Sequence, residues 1–92
     1  MNRLELYTFL QTIPKGKVTT YGALAKHFST SPRAIASMLS ANQELDVYPC
    51  YKVIHTDGRI GGYRGGVAEK IQKLKNDGID IVDGVISKDI IL

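Results

Sequence analysis

The sequence predicts a mainly α-helical fold with a small β-hairpin, organised as a helix-turn-helix of winged-helix type. Three observations carry this. Two short segments with helical apolar spacing, 21–28 and 32–41, flank the polar turn Ser29-Thr30-Ser31. A further helical segment, 67–76, is followed by Gly78. Short β-branched runs lie beside Asp-Gly pairs at 57–58 and 83–84, the dipeptide that tight hairpins favour.

Taken in order, residues 2–12 place Leu4, Tyr7, Phe9 and Leu10 at mixed helical spacings and predict a short amphipathic helix. Pro14 and Gly16 break it. Thr19 or Thr20 is the expected N-cap of the second helix, whose Leu24 and Phe28 stand four apart and face one core. Ser31 caps the third helix and Pro32 suits its first position. Ile35, Met38 and Leu39 form its buried stripe, while Ala34, Ala36, Ser37 and Ala41 make its other face unusually small. Residues 43–48 read as a loop, 51–55 as a short strand and 56–59 as a turn; IGGYRGG at 60–66 is too rich in glycine to be regular. In the fourth helix Ile71 and Leu74 are expected inside, with Lys70, Lys73 and Lys75 largely outside, and Gly78 closing the helix. The tail from Ile79 is expected to form a hairpin.

The 92 residues suffice for one domain, 1–92, with a modest core. A chain 43% hydrophobic and 23% charged is ordinary for a folded protein, which argues against disorder. No apolar run approaches the ~20 residues a bilayer span needs. The start interleaves Arg3 and Glu5 with Leu4 and Leu6, unlike a secretory leader. The expectation is therefore a cytoplasmic (nucleoid-associated) or nuclear protein, neither secreted nor in a membrane. The single cysteine excludes an internal disulfide and a cysteine-only metal cluster, and no ligand spacing joins it to His27 or His55; neither metal nor cofactor is expected. A net charge of +3 favours a polyanionic partner.

Three segments carry chemistry. Cys50 follows Pro49 at a loop–strand junction, beside Tyr51, Lys52 and His55. A cationic neighbour raises the thiolate fraction, so Cys50 reads either as a nucleophile or as an inert buried residue. The glycine-rich loop lets the backbone approach a flat or charged ligand, but no Gly-Lys-Ser/Thr follows, so it is no triphosphate loop. The third helix offers Ala and Ser where a major-groove reader carries Asn, Gln, Arg or Lys. That suits close approach to a backbone or minor groove with Arg33 as the one long probe, or else simple alanine-rich packing.

In order, the chain contains Pro14-Lys15-Gly16-Lys17-Val18-Thr19-Thr20-Tyr21-Gly22-Ala23-Leu24-Ala25, then Pro32-Arg33-Ala34-Ile35, Asn42, Pro49-Cys50-Tyr51-Lys52-Val53-Ile54, Gly61-Gly62-Tyr63-Arg64-Gly65-Gly66 and Lys70. This series resembles the C-terminal domain of the alkylguanine-DNA alkyltransferases, the methylated-DNA–protein-cysteine methyltransferases. The likeness covers nearly the whole chain and leaves the family's N-terminal domain unmatched. In that the chain is also similar to the alkyltransferase-like proteins, which bind the same lesions without repairing them.

The resemblance implies a helix-turn-helix over about 20–41, an active-site loop at 49–53 and a binding loop at 61–66. It implies a monomer acting on double-stranded DNA with the alkylated guanine flipped out of the stack. Cys50 takes the alkyl group from oxygen-6, once and irreversibly. Arg33 fills the gap in the stack. Tyr21 presses on the adjacent phosphate and donates to the base. The carbonyls of Cys50 and Val53 accept from the guanine amine, and the N–H of Arg64 stabilises oxygen-6. Asn42 braces the turn before Cys50. Ala34, Ser37, Lys52 and Tyr63 complete the expected DNA contacts. The family pattern PCHRV reads PCYKV here, so Tyr51 and Asp77 stand where the family carries the His and Glu of a proton relay. A phenol, with a reference pKa near ~10, is a poor base at neutral pH. The resemblance thus implies a slower alkyltransferase, with a non-enzymatic lesion sensor as the alternative. Lys52, or helix N-terminal amides aimed at Cys50, are the expected sources of thiol activation, and His55 is expected to be a bystander in the strand or turn.

Overall fold

The computed structural model describes residues 2–92. Helix α1 spans Arg3–Leu10, with the Asn2 side chain accepting from the Glu5 N–H at 2.9 Å. Leu6, Tyr7 and Leu10 form its buried face, whereas Leu4 is 58% exposed. Strand β1, Thr19–Thr20, leads directly into α2, Tyr21–His27. Thr20 rather than Thr19 is the cap, accepting from the Ala23 N–H at 3.0 Å. After the turn at 29–31, Ser31 accepts from the Ala34 N–H and opens α3, Pro32–Ser40, with Pro32 in its first turn. Helices α2 and α3 pack on each other as the expected helix-turn-helix.

The segment after Pro49 departs from the predicted strand. Cys50–Lys52 is a 3-10 turn, and only Val53–Ile54 is strand, β2. Proline brings no N–H to a ladder, and the Lys52 N–H folds back to the Pro49 carbonyl at 3.1 Å. Strand β2 pairs parallel with β1, Thr19 opposite Val53 and Thr20 opposite Ile54. The turn at 56–59 does form: the His55 N–H donates to the Arg59 carbonyl at 2.8 Å. The chain beyond it then meets the terminal hairpin, Arg59 bridging to Val85 and the Ile60 N–H donating to Gly84.

Helix α4, Val67–Asn76, ends with Gly78 at φ +81, the Gly78 N–H on Lys75 and the Ile79 N–H on Leu74. That double return is the Schellman closure, which glycine reaches without a Cβ penalty. The tail forms β3, Ile81–Val82, and β4, Val85–Ile86, an antiparallel hairpin. A last 3-10 turn, Lys88–Ile90, returns the chain to β1, where the Leu92 N–H donates to Val18 at 2.8 Å.

Two apolar clusters meet at the parallel strand pair. One joins Leu6, Leu10, Leu24, Ile35 and Leu39 to Val53 and Cys50; the other joins Val18, Ile60, Leu74, Ile79 and Ile86 to Ile54. Successive strand side chains point to opposite faces, so two residues of β2 reach both clusters. Among the described residues no helix is long and apolar enough to cross a membrane. Leu10 is fully buried. Leu10→Ala should cost about 2–5 kcal/mol, read as a lower urea midpoint with an unchanged denaturant slope.

Candidate active site

A cavity of about 560 Å³ opens between α2, α3 and the glycine-rich loop, with Cys50 in its wall. Tyr21 comes from the first turn of α2, Arg33 from the first turn of α3, and Tyr63 and Arg64 from the loop. Ala36, Leu39 and Ser40 line it from the same face of α3 as Arg33. Small residues on that face leave the room that the cavity occupies. Arg33 is exposed, and the Arg64 guanidinium donates to the Ser40 carbonyl at 2.7 Å, bridging the loop to the C-terminal end of α3. A cation there also suits the negative end of the helix dipole. The rim is therefore cationic and the floor sulfur-bearing.

Cys50 is 5% exposed. Asn42, itself buried, donates through Nδ2 to the Cys50 sulfur at 3.4 Å and to the Tyr48 carbonyl at 3.1 Å, while its Oδ1 accepts from the Glu44 N–H at 2.9 Å. One amide thus ties the end of α3 to the turn that carries the thiol. Burial pushes the thiol pKa up, and the Asn42 hydrogen bond, then Lys70 and Lys73, pull against it without reversing the direction. The expected activation by Lys52 is corrected: burial outweighs every cation near this sulfur.

The other expected site residues divide. Tyr51, Lys52 and Asp77 line a second cavity, which shares no lining residue with the first. The Tyr51 hydroxyl donates to Asp77 Oδ2 at 3.0 Å, and Lys52 Nζ pairs with the same oxygen at 2.9 Å. Lys52 Nζ also donates to the carbonyls of Pro14 and Lys17 at 3.0 and 3.3 Å. Lys52 is 5% exposed and its ammonium is committed inside the protein, so the expected DNA contact at Lys52 is withdrawn. Burial first, and then the bond to Asp77, push the Tyr51 phenol well above its ordinary range. Val53 is buried and Ala34 half-buried, Ser37 is exposed, and none of the three lines the cavity.

Two residues hold places that the sequence reading did not give them. Lys70, expected outside, is fully buried; its Nζ donates to the Val53 carbonyl at 2.7 Å and to the Gly62 carbonyl at 3.0 Å. Its spacing with Leu74, four residues apart on one helical face, was the signal that it points inward. His55, expected as a bystander, lines the first cavity with its ring 5.2 Å from that of Tyr21. Gly61 passes close behind this pair at φ +72: a Cβ there would fall 2.9 Å from His55 Nε2. Among the described residues no three metal-ligating side chains cluster.

A family model described as the DNA binding domain of 6-O-methylguanine DNA methyltransferase matches residues 2–79. The chain belongs to this family. It is 51% identical over 92 residues to a bifunctional methyltransferase/endonuclease of Picrophilus torridus, a match covering 94% of this chain and 31% of that protein. It superposes on the O6-methylguanine-DNA methyltransferase of the archaeon Pyrococcus kodakaraensis with a TM-score of 0.78 at 38% identity, over 84% of this chain and 46% of that one. An OGT of Mycobacterium tuberculosis solved in complex with DNA gives 0.75 at 28%, over 82% and 48%. The chain spans less than half the length of each.

Burial brings the Lys70 pKa down to about 8 from 10.5. A folded value below the unfolded one means that the unfolded chain binds more protons between these limits, so Lys70 makes stability rise with pH across that window. The stability of the native protein relative to Lys70→Met should therefore improve from pH 8 to near pH 10, measured by urea denaturation; a difference that does not change with pH would show that the Lys70 ammonium pays no burial penalty.

Proposed function

We propose that this protein repairs DNA by moving an alkyl group, methyl above all, from oxygen-6 of guanine to Cys50. The observation that carries the reading is the cavity itself: a buried cysteine in the wall of a chamber with a cationic rim, in a chain of this family. Phosphates favour the rim and a neutral, flat base favours the interior. The chain acts on double-stranded DNA as a monomer, with the damaged nucleotide rotated out of the stack.

In this reading Arg33 enters the stack from the start of α3, and Tyr21 stands between the phosphate and the base. The carbonyls of Cys50 and Val53 accept from the guanine amine. A carbonyl has two lone pairs, so Val53 has one left beside its bond from Lys70. The N–H of Arg64 points to oxygen-6; among the described residues it donates to no other backbone group. The Cys50 sulfur forms its bond to the alkyl carbon as the carbon–oxygen-6 bond breaks. The electron pair leaves with oxygen-6, and the guanine is released once it gains a proton. The thioether has no leaving group that water displaces readily, so each molecule reacts once. Asn42 and Asp77 serve by holding the turn, Asp77 through Tyr51 and Lys52.

Intact-protein mass after incubation with duplex DNA carrying O6-methylguanine is the direct test. One added methyl group is expected, and none in Cys50→Ala, which should still bind the lesion. Tight binding with no mass gain would instead mark a lesion sensor. Arg33→Ala should weaken lesion-duplex binding roughly tenfold, about 1.4 kcal/mol, as measured by fluorescence anisotropy, and an unchanged affinity removes the wedge. Binding should weaken as salt rises, because phosphate contacts release counterions.

A further inference from the structure

An alkyl transfer to sulfur needs a place for the thiol proton. Tyr51 and Asp77 do not offer one: the phenol donates to the carboxylate, both line the second cavity, and neither residue lines the chamber that holds the sulfur. The ionisable groups that do line it are Tyr21, Arg33, Cys50, His55, Tyr63 and Arg64. Arginine stays protonated and the phenols stay neutral near pH 7, so neither is a base there. An imidazole is the one remaining group whose ordinary titration falls in the physiological range.

The surroundings of His55 suit this. Its ring packs on Tyr21, which shares the chamber with Cys50. Gly61 packs against the ring edge that carries Nε2, where a Cβ would fall 2.9 Å from that nitrogen, so the absence of a side chain there lets the imidazole sit between the loop and Tyr21. Asp57 lies in the same turn as His55 and is bonded to Arg59 at 2.8 Å, so it is not free to clamp the imidazole. The charges that face His55 are then Asp57 and Arg59 from its own turn and Arg33 and Arg64 across the chamber, with the Tyr21 hydroxyl and the Cys50 thiol as the other titratable neighbours.

We propose that His55 is the proton acceptor of this site, taking the Cys50 proton by way of the Tyr21 hydroxyl and returning it to the departing guanine. The inference rests on the alkyltransferase reading above. The balance closes: the thiol proton passes to Tyr21 as the phenolic proton passes to the imidazole; sulfur–carbon forms and carbon–oxygen-6 breaks; the imidazolium proton then moves back through Tyr21 to the guanine anion. The products are a thioether, a normal guanine and an unchanged histidine.

The test compares native protein with His55→Gln, which keeps a polar side chain of similar reach but titrates nothing. Two reactions are followed from pH 5.5 to 9.5: single-turnover methyl transfer from O6-methylguanine duplex, and alkylation of Cys50 by iodoacetamide without DNA. In the native protein both rates should show a lower-pH rise that depends on His55, level, and rise again as the thiol itself ionises. In His55→Gln the first rise should vanish, leaving rates at pH 7 at least tenfold lower, with lesion-duplex affinity and urea midpoint unchanged. Superposable pH profiles of the two proteins with iodoacetamide overturn the proposal whatever the DNA result. No methyl transfer by the native protein, with the first rise still present and His55-dependent in iodoacetamide, removes the repair reading and leaves the proton acceptor standing.

Discussion

The ammonium of Lys70 holds the site's backbone together. It leaves α4, is fully buried, and donates at once to β2 through Val53 and to the glycine-rich loop through Gly62. Taking such a charge out of water costs several kcal/mol even after relaxation. Two carbonyls offset part of that, and the lowered pKa of Lys70 records the remainder. What the fold gains is placement. The loop that supplies Tyr63 and Arg64 has no ladder of its own, and Lys70, the Arg64–Ser40 bridge and the Lys73 bond to the Tyr63 hydroxyl fix it at three points. The same ammonium lies near enough to Cys50 for each to shift the other's proton affinity, so the strut that shapes the chamber also sets its potential.

A second buried cation works on the other side of the Cys50 turn. Lys52 joins Asp77, at the end of α4, to the carbonyls of Pro14 and Lys17 before β1. The turn is therefore clamped from below by Lys52, braced at the sulfur by Asn42, and continued into a strand that Lys70 holds. Removing either partner of such a buried pair strands an uncompensated charge, which is why these groups order the loop so firmly. The arrangement also separates two tasks that the sequence motif places side by side. Adjacent residues in a 3-10 turn point about a third of a turn apart. Cys50 faces the chamber, while Tyr51 and Lys52 face the structural clamp.

That separation explains what the sequence made legible and what it hid. Helix ends were readable because caps are local: Thr20, Ser31 and Gly78 act on backbone groups within three or four residues. The residues Cys50, Tyr21, Arg33, Tyr63 and Arg64 were readable as one site because their motifs occur together, and they do line one cavity. The strand at 51–55 was misjudged because alternation says nothing about a proline just before it, which turned the chain for three residues first. Lys52 and Lys70 were misjudged because lysine is expected at the surface, and only distant carbonyls, up to 38 residues away, make burial tolerable. The parallel pairing of Thr19 with Val53 is equally non-local, and nothing near either residue announces it.

The chamber poses one chemical tension, and its resolution orders the remaining facts. A thiol with a raised pKa gives a more nucleophilic thiolate, but the gain is only about 0.4–0.5 log units per pKa unit while the thiolate fraction falls tenfold. Burial of Cys50 thus costs reactivity at neutral pH unless the proton leaves in concert with attack. The same burial is useful to the displacement itself, since a thiolate stripped of water meets a neutral alkyl carbon. A cysteine in this setting reacts slowly with casual electrophiles, faster when a base shares its chamber, and most effectively when a bound substrate also excludes the solvent. The cationic rim, the Asn42 brace and the imidazole beside Tyr21 are the elements such a conditional nucleophile requires.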